Sequence, residues 1–122
     1  MPFIDIATVP QFEPLPGVHI RTPFGQNIML SYLEMDDGAV VPMHSHPHEQ
    51  AGMLIRGRME LTIGDETRTV EPGAMFIIPP GTPHRAVAVG GPLLALDIFS
   101  PPREDYVELQ NRYIPANDAP CS

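Results

Sequence analysis

The middle of the chain concentrates side chains that can bind a metal. Five such residues fall within seven positions: His44, His46, His48, Glu49 and Gln50. Alternate residues of a β-strand point to the same face, so His44 and His46 would project together, and Gln50 keeps that parity if no bulge intervenes. A distant histidine, His84, could complete the set. Imidazole nitrogens with one amide oxygen suit zinc, iron, nickel, manganese or copper, so these residues predict one divalent transition-metal ion of open identity.

Two polar neighbours need separate roles. The parity of Glu49 turns it away from the face shared by the histidines, although a register slip would make it the ligand in place of Gln50. His48 has the right parity but follows Pro47, and we expect it at the rim of the site or supporting a ligand. The alternative is that all these histidines are merely packed side chains of a barrel interior.

The elements that must position these residues are short strands. Strand-like stretches separated by glycine, proline and aspartate turns cover residues 27–35, 39–46, 50–56, 58–63, 67–70, 74–78, 85–89 and 93–99. Together they predict one all-β domain, a sandwich or barrel. Residues 85–99, with glycines at 90 and 91, should form the last hairpin. Stretch 27–35 is apolar on both faces, so we expect it to be covered on both sides.

The two ends of the chain look different from this centre. Proline-rich residues 1–17 predict an extended arm with one short strand at 3–6, lying on the barrel or on a partner subunit. Residues 18–110 would form the barrel, with a helical turn or two at 103–110, and residues 111–122 would form a tail. The lone Cys121 lies in that tail and cannot form an internal disulfide.

Bulk properties exclude several functions. The 122 residues suit one domain, and a formal net charge of -8 makes nucleic acid an improbable partner, because binding it requires a basic face. The first residues show no basic region followed by an apolar run, and no stretch reaches membrane-spanning length. From the sequence we therefore expect a soluble cytoplasmic protein with no membrane partner.

The spacing of the glycines and histidines resembles the two motifs of the cupin superfamily. The first motif has its anchors at Gly38, His44, His46, Gln50 and Gly57, with glutamine in the usual glutamate place. The second has its anchors at Gly73, Pro79, Gly81 and His84, while its usual closing asparagine is replaced by Ala88. The resemblance implies a single-domain jelly-roll β-barrel that holds a metal ion inside.

The last strand sharpens the resemblance. Asp97 and Phe99 share one face of an aliphatic strand, where an aspartate is costly to bury unless it faces a polar cavity, and Arg103 follows shortly after. This run is similar to the small KdgF-like cupins of pectin and alginate breakdown, which convert 4,5-unsaturated uronates to linear keto-sugars. The resemblance implies a metal held by His44, His46, Gln50 and His84. It also implies a small anionic sugar acid as substrate and Asp97, Phe99 and Arg103 as catalytic residues.

Several alternatives stay open at this stage. Asp97 could serve a salt bridge, Phe99 could be core packing, and Arg103 could form a surface ion pair with Glu104 or Asp105. The protein could instead be an oxygenase, an isomerase or cyclase acting on a keto acid, or a non-enzymatic sugar-binding cupin. Small cupins often pair, so the resemblance also implies a homodimer, although the sequence names no interface.

Overall fold

The computed structural model describes residues 2–111, which form ten strands and one helix. The strands are β1 (Phe12–Leu15), β2 (Val18–Arg21), β3 (Met29–Met35), β4 (Val40–His44), β5 (Glu49–Arg56), β6 (Met59–Ile63), β7 (Glu66–Val70), β8 (Met75–Ile78), β9 (His84–Ala88) and β10 (Leu93–Ser100). Helix α1 spans Glu104–Asn111, close to the helical turns expected at 103–110. The expected tail beyond residue 111 lies outside the described residues, and so does Cys121.

All strand pairs are antiparallel, and they form two sheets. The six-stranded sheet has the order β1-β2-β3-β10-β5-β8, and the four-stranded sheet has the order β4-β9-β6-β7. Buried residues from both sheets, such as Leu33, Met35, Met59 and Leu61, form one apolar cluster between them. The all-β fold expected from the strand pattern is therefore confirmed, and so is the jelly-roll barrel that the resemblance implies.

The prediction that residues 85–99 form a hairpin is wrong. β9 pairs with β4 and β6, whereas β10 pairs with β3 and β5 in the other sheet. Gly90 and Gly91, with φ of 71° and 137°, turn the chain from one sheet to the other. Gly57 marks a similar crossing between β5 and β6, where a Cβ would lie 2.4 Å from the carbonyl oxygen of Pro92. Turn residues mark where a chain reverses, but strand partners depend on non-local packing.

The expected strand at residues 3–6 is also wrong. Asp5 instead accepts a hydrogen bond from the backbone N–H of Ala7 and caps a 3-10 turn at Ile6–Thr8. The strand of this region is β1, which pairs with β2 and buries Phe12 in the core. Part of the expected arm is thus the edge strand of the larger sheet.

β3 is covered completely on one side only. Met29, Ser31, Leu33 and Met35 are buried, while the residues between them are half-buried. The expectation of cover on both sides is therefore not met within one chain. Among the described residues, no helix is long and apolar enough to cross a membrane.

Candidate functional site

Three histidines from two segments converge at one end of the barrel. His44 ends β4 and pairs directly with His84, the first residue of β9, while His46 lies in the loop after β4. One ring nitrogen from each histidine lies within 4.8 Å of the others. The antiparallel pairing of β4 with β9 therefore builds a cluster from residues 40 positions apart in the sequence.

Hydrogen bonds orient all three rings in the same way. The Nδ1 atoms of His44, His46 and His84 lie 2.8, 3.1 and 2.8 Å from a backbone carbonyl oxygen two residues away. Such a contact requires Nδ1 to carry the proton, so each Nε2 keeps its lone pair for a metal.

The electrostatics at two of these rings also favour neutral imidazoles. Burial lowers the pKa of His84 to about 4, and burial together with the charge of Arg103 lowers the pKa of His46. The Nε2 atom of His84 is buried without a hydrogen-bond partner among the described residues. A buried lone pair with no donor is costly, and a metal ion would satisfy it. The three histidines can therefore hold a metal ion.

Gln50 lies beside this cluster. It is buried on the inner face of β5, whereas its neighbour Glu49 is exposed, as strand parity predicts. The Oε1 atom of Gln50 is 3.1 Å from the Nε2 atom of His46. When Nδ1 of His46 carries the proton, both atoms present lone pairs, and a cation would relieve their repulsion. Three imidazole nitrogens and one amide oxygen therefore fit a borderline divalent ion.

Asp97 is the carboxyl group of the cavity. It is buried on β10, and its Oδ1 atom has no hydrogen-bond partner among the described residues. Burial raises the pKa of Asp97 to about 7, although a hydrogen bond with Gln50 and the charge of Arg103 act in the opposite direction. The structure shows no ion pair to Asp97 within residues 2–111, so the salt-bridge interpretation finds no partner there.

One glycine makes room for this carboxyl group. Gly52 pairs with Asp97 across β5 and β10, and a Cβ built on Gly52 would lie 2.3 Å from Oδ1 of Asp97 and 2.4 Å from Cζ of Phe76. Real side chains do not approach so closely, and any larger residue must therefore displace Asp97 or Phe76.

We expect Gly52→Ala to lower the stability of the fold. The added methyl group overpacks the cavity wall, which typically costs about 1–3 kcal/mol, because Asp97 or Phe76 must move to make room for it. Thermal unfolding measures this effect. Gly25→Ala is the matched control, because its Cβ would meet nothing nearer than an oxygen at 4.0 Å. Wild-type stability in Gly52→Ala would contradict this account.

Phe99 and Arg103 complete the opposite wall. The Phe99 ring lies edge-on to His46 with centroids 5.6 Å apart, and the guanidinium carbon of Arg103 lies 5.1 Å from the Phe99 ring. Arg103 also forms two bonds to Asp105, Nε to Oδ1 at 3.2 Å and Nη2 to Oδ2 at 2.7 Å. The alternative pairing with Asp105 is therefore present, but Arg103 is buried and not on the surface.

The cavity thus brings the sequence-predicted residues together. Its polar and aromatic lining includes His44, Gln50, His84, Asp97, Phe99 and Arg103. His46 borders the same space through its contacts with Gln50 and Phe99.

Sequence reasoning missed two features of the cavity. Tyr106 packs its ring 3.7 Å from the guanidinium carbon of Arg103 and also lines the cavity. Its place three residues after Arg103 at a helix start could have indicated this contact. The second feature is the 3.2 Å contact between Nε2 of His48 and Glu104, which ties α1 to the histidine loop. These residues are 56 positions apart, and no local signal connects them.

Comparisons with known proteins agree with this architecture. A sequence model of the cupin domain matches residues 31–99. The chain is similar to the structure of KdgF from a Halomonas species, with a TM-score of 0.80 and 30% identity, covering 87% of this chain and 98% of that one.

Two further proteins are similar to the chain. The polyketide cyclase RemF from Streptomyces resistomycificus has a TM-score of 0.73 at 24% identity, covering 85% of this chain and 82% of that one, and this likeness bears on the fold alone. The auxin-binding protein ABP19a of Prunus persica is 32% identical over 81% of this chain but only 49% of its own length. Since the cupin model covers more than half of the 122 residues, the chain belongs to the cupin family and resembles its small KdgF members.

Proposed function

We propose that this protein is a metal-dependent enzyme that converts a 4,5-unsaturated uronate to its linear keto form. One observation carries the proposal: within residues 2–111, a carboxyl oxygen of Asp97 and the Nε2 atom of His84 are both buried without a hydrogen-bond partner, and both residues line the same cavity. The similarity to KdgF over nearly the whole of both chains supports the substrate class, through the uronate chemistry that the sequence resemblance implies.

The metal would be held by His44, His46 and His84 with Gln50 as the fourth ligand. When bound, the ion would act as a Lewis acid and attract the anionic substrate. Gln50 is neutral, whereas a glutamate in its place would cancel one unit of the charge of the ion. The ligand set therefore favours binding of an anion such as a uronate carboxylate.

The residues of the chain then account for the proton movements. The reaction is an isomerisation: the bond between C1 and the ring oxygen breaks, C1 becomes an aldehyde, and the oxygen remains on C5 as an enol. A proton added to C4 turns this enol into the C5 ketone, while the C1 hydroxyl group loses one proton. Asp97 would accept the hydroxyl proton and deliver one to C4, so no oxidant or other reactant is needed.

The opposite wall would hold the sugar acid in place. Arg103 would bind the substrate carboxylate through its guanidinium group, and Phe99 would pack against the sugar ring. Two nitrogens of Arg103 already bond to Asp105, which holds the guanidinium group in a fixed orientation. Burial alone would raise the pKa of Asp105. The hydrogen bonds and the charge of Arg103 outweigh that effect and lower the pKa below its usual value, so the Asp105 carboxyl group stays ionised.

We expect Arg103→Lys to weaken substrate binding more than the chemical step. Lysine keeps the charge but loses the planar fork and the packing between Phe99 and Tyr106. KM for the unsaturated uronate should rise about tenfold or more, equal to about 1.4 kcal/mol, with a smaller change in kcat. Steady-state kinetics measures both. Arg85→Lys, in a half-exposed pair with Glu60, is the matched control. An unchanged KM in Arg103→Lys would remove this role.

The direct test uses pure protein and 4,5-unsaturated galacturonate. Loss of ultraviolet absorbance follows the disappearance of the conjugated double bond, and the metal content is measured on the same sample. Acceleration over buffer supports the proposal. No acceleration by a metal-loaded protein would remove it.

A second candidate function is suggested by the residues that line the inner cavity. Much of this lining is apolar, including Leu33, Met59, Leu61, Phe76 and Ala95. An apolar interior favours a substrate with an apolar part, and so another metal-dependent cupin reaction, such as cyclisation or isomerisation of a keto acid or an oxygenation. Oxygen uptake in the presence of iron or copper would identify the oxygenase among these.

A further inference from the structure

His48 is a buried residue of the histidine loop that the proposed mechanism does not use. It is 6% exposed, and its ring lies edge-on to that of His46, with centroids 5.4 Å apart. The carbonyl oxygen of His48 lies 3.1 Å from Nδ1 of His46 and accepts the hydrogen bond that leaves the Nε2 lone pair of His46 free for a metal. The backbone of His48 therefore orients one of the candidate metal ligands.

The ring of His48 makes a second contact, to the first residue of α1. Its Nε2 atom lies 3.2 Å from a carboxylate oxygen of Glu104. An ionised carboxylate can only accept a hydrogen bond, so Nε2 of His48 must donate it. The other ring nitrogen, Nδ1, is buried and has no hydrogen-bond partner within residues 2–111. The polar contact of this ring is thus made to Glu104, and it joins the histidine loop to the start of the helix.

Helix α1 is held at both of its ends. At the far end, Oε1 of the buried Gln110 accepts hydrogen bonds from N and Oγ1 of Thr22, at 3.1 and 2.8 Å. At the near end, the carbonyl oxygen of Arg103 accepts a hydrogen bond from the N–H of Val107 at 3.0 Å, so the backbone of Arg103 belongs to the first turn of the helix. A movement of this turn would therefore also move the Arg103 side chain that lines the cavity. The Glu104 contact fixes this near end to the histidine loop.

We propose that His48 is a positioning residue that couples the metal site to the anion-binding side of the cavity. Once the ring of His46 is fixed by a metal, the hydrogen-bonded carbonyl of His48 is fixed as well. The buried ring of His48 then holds Glu104 and the first turn of α1 in one place, which steadies Arg103 for the substrate carboxylate. The role of Arg103 rests on the proposed function, whereas the link between the metal and α1 does not depend on the substrate.

The test follows amide hydrogen exchange in α1 by mass spectrometry, with and without zinc. In the wild type, zinc should slow exchange in Glu104–Asn111 by about two- to fivefold, the range expected for one partly exposed ion pair. In Glu104→Ala, zinc should still protect the residues around His84 but should no longer slow exchange in α1. His48→Ala should behave in the same way, because its backbone carbonyl remains to orient His46.

Glu104→Gln is the matched control. It removes the same negative charge from the start of α1 but keeps an oxygen that can accept from Nε2 of His48, so the zinc effect on α1 should remain. Equal slowing in the wild type and Glu104→Ala would overturn the coupling and leave the metal site in place. So would the absence of slowing in a wild type whose residues around His84 are protected, or its loss in Glu104→Gln. A wild type that zinc protects nowhere would overturn both the coupling and the metal site of the proposed function.

Kinetics test whether the coupling reaches Arg103. Glu104→Ala should raise KM for the unsaturated uronate by about two- to fivefold with little change in kcat. Combined with Arg103→Lys, it should raise KM little further, because residues that act through one another are not additive. An unchanged KM in Glu104→Ala, or two increases in KM that multiply in the double variant, would overturn this route through Arg103.

Discussion

Asp97→Asn should abolish turnover while leaving the metal content unchanged. The amide has the same shape as the carboxyl group but cannot exchange a proton, so general acid–base catalysis is lost. Loss of a positioned acid–base group typically reduces the rate by about 10²–10⁴-fold. Metal binding should survive because the three clustered histidines, and not Asp97, supply the converging nitrogens.

Thermal unfolding distinguishes this loss of acid–base catalysis from a loss of activity through misfolding. One oxygen of the buried Asp97 carboxyl group has no partner within residues 2–111, and a neutral amide costs less free energy to bury than a carboxylate. The thermal midpoint of Asp97→Asn should therefore equal or exceed that of the wild type, whereas a variant inactivated by misfolding would show a lower midpoint. Rates on unsaturated galacturonate, elemental analysis and thermal unfolding give the three readouts.

The matched control for this variant is Asp65→Asn. Asp65 lies exposed in the turn between β6 and β7, and its replacement should leave all three readouts unchanged. A fully active Asp97→Asn protein would refute the acid–base role of Asp97. It would not contradict the proposed metal site. A variant that loses its metal would show instead that Asp97 supports the ligands.

Part of the candidate metal site could be predicted because its signals are local. The two-residue period of a strand predicts that His44 and His46 face the same side and that Gln50 is buried while Glu49 is exposed, and the last two expectations hold in β5. β4, however, ends at His44 with an irregularity in its pairing to β9, so His46 reaches the cluster from the loop and not from the expected strand. The positions of most strands could also be predicted from the sequence, since glycine, proline and aspartate mark the turns. The meeting of His84 with His44 was not derivable from periodicity, and came from the resemblance to the cupin motifs.

The failures of prediction share a physical cause. β9 and β10 look like a hairpin because two glycines separate them, yet each has partners far away in the sequence. The strand β1 was missed because Pro14 interrupts its pattern, although an edge strand tolerates proline. The contact between His48 and Glu104 also depends on packing across the fold. Non-local pairing is decided by the burial of the whole core, which no short window of sequence contains.

His84→Ala is expected to remove the metal. His84 is buried, and its Nε2 atom has no other partner among the described residues, so the variant deletes one of three converging lone pairs. Loss of an orienting neighbour alone typically weakens metal binding by 10–100-fold, and loss of a ligand should cost at least about 100-fold. Turnover should fall in step with metal occupancy.

Thermal unfolding with and without added metal separates this effect from simple cavity formation. Removing a buried ring lowers the midpoint of the metal-free protein in any case, so the informative quantity is the increase caused by the metal. A metal at 100 times its dissociation constant stabilises the wild type by about 2.7 kcal/mol, and this increment should vanish in His84→Ala. His19→Ala is the control, because His19 lies on β2, contacts Asp36 and does not line the cavity, so this variant should keep the full increment. If His84→Ala retains the wild-type increment, the cluster is packing and the proposed chemistry loses its metal.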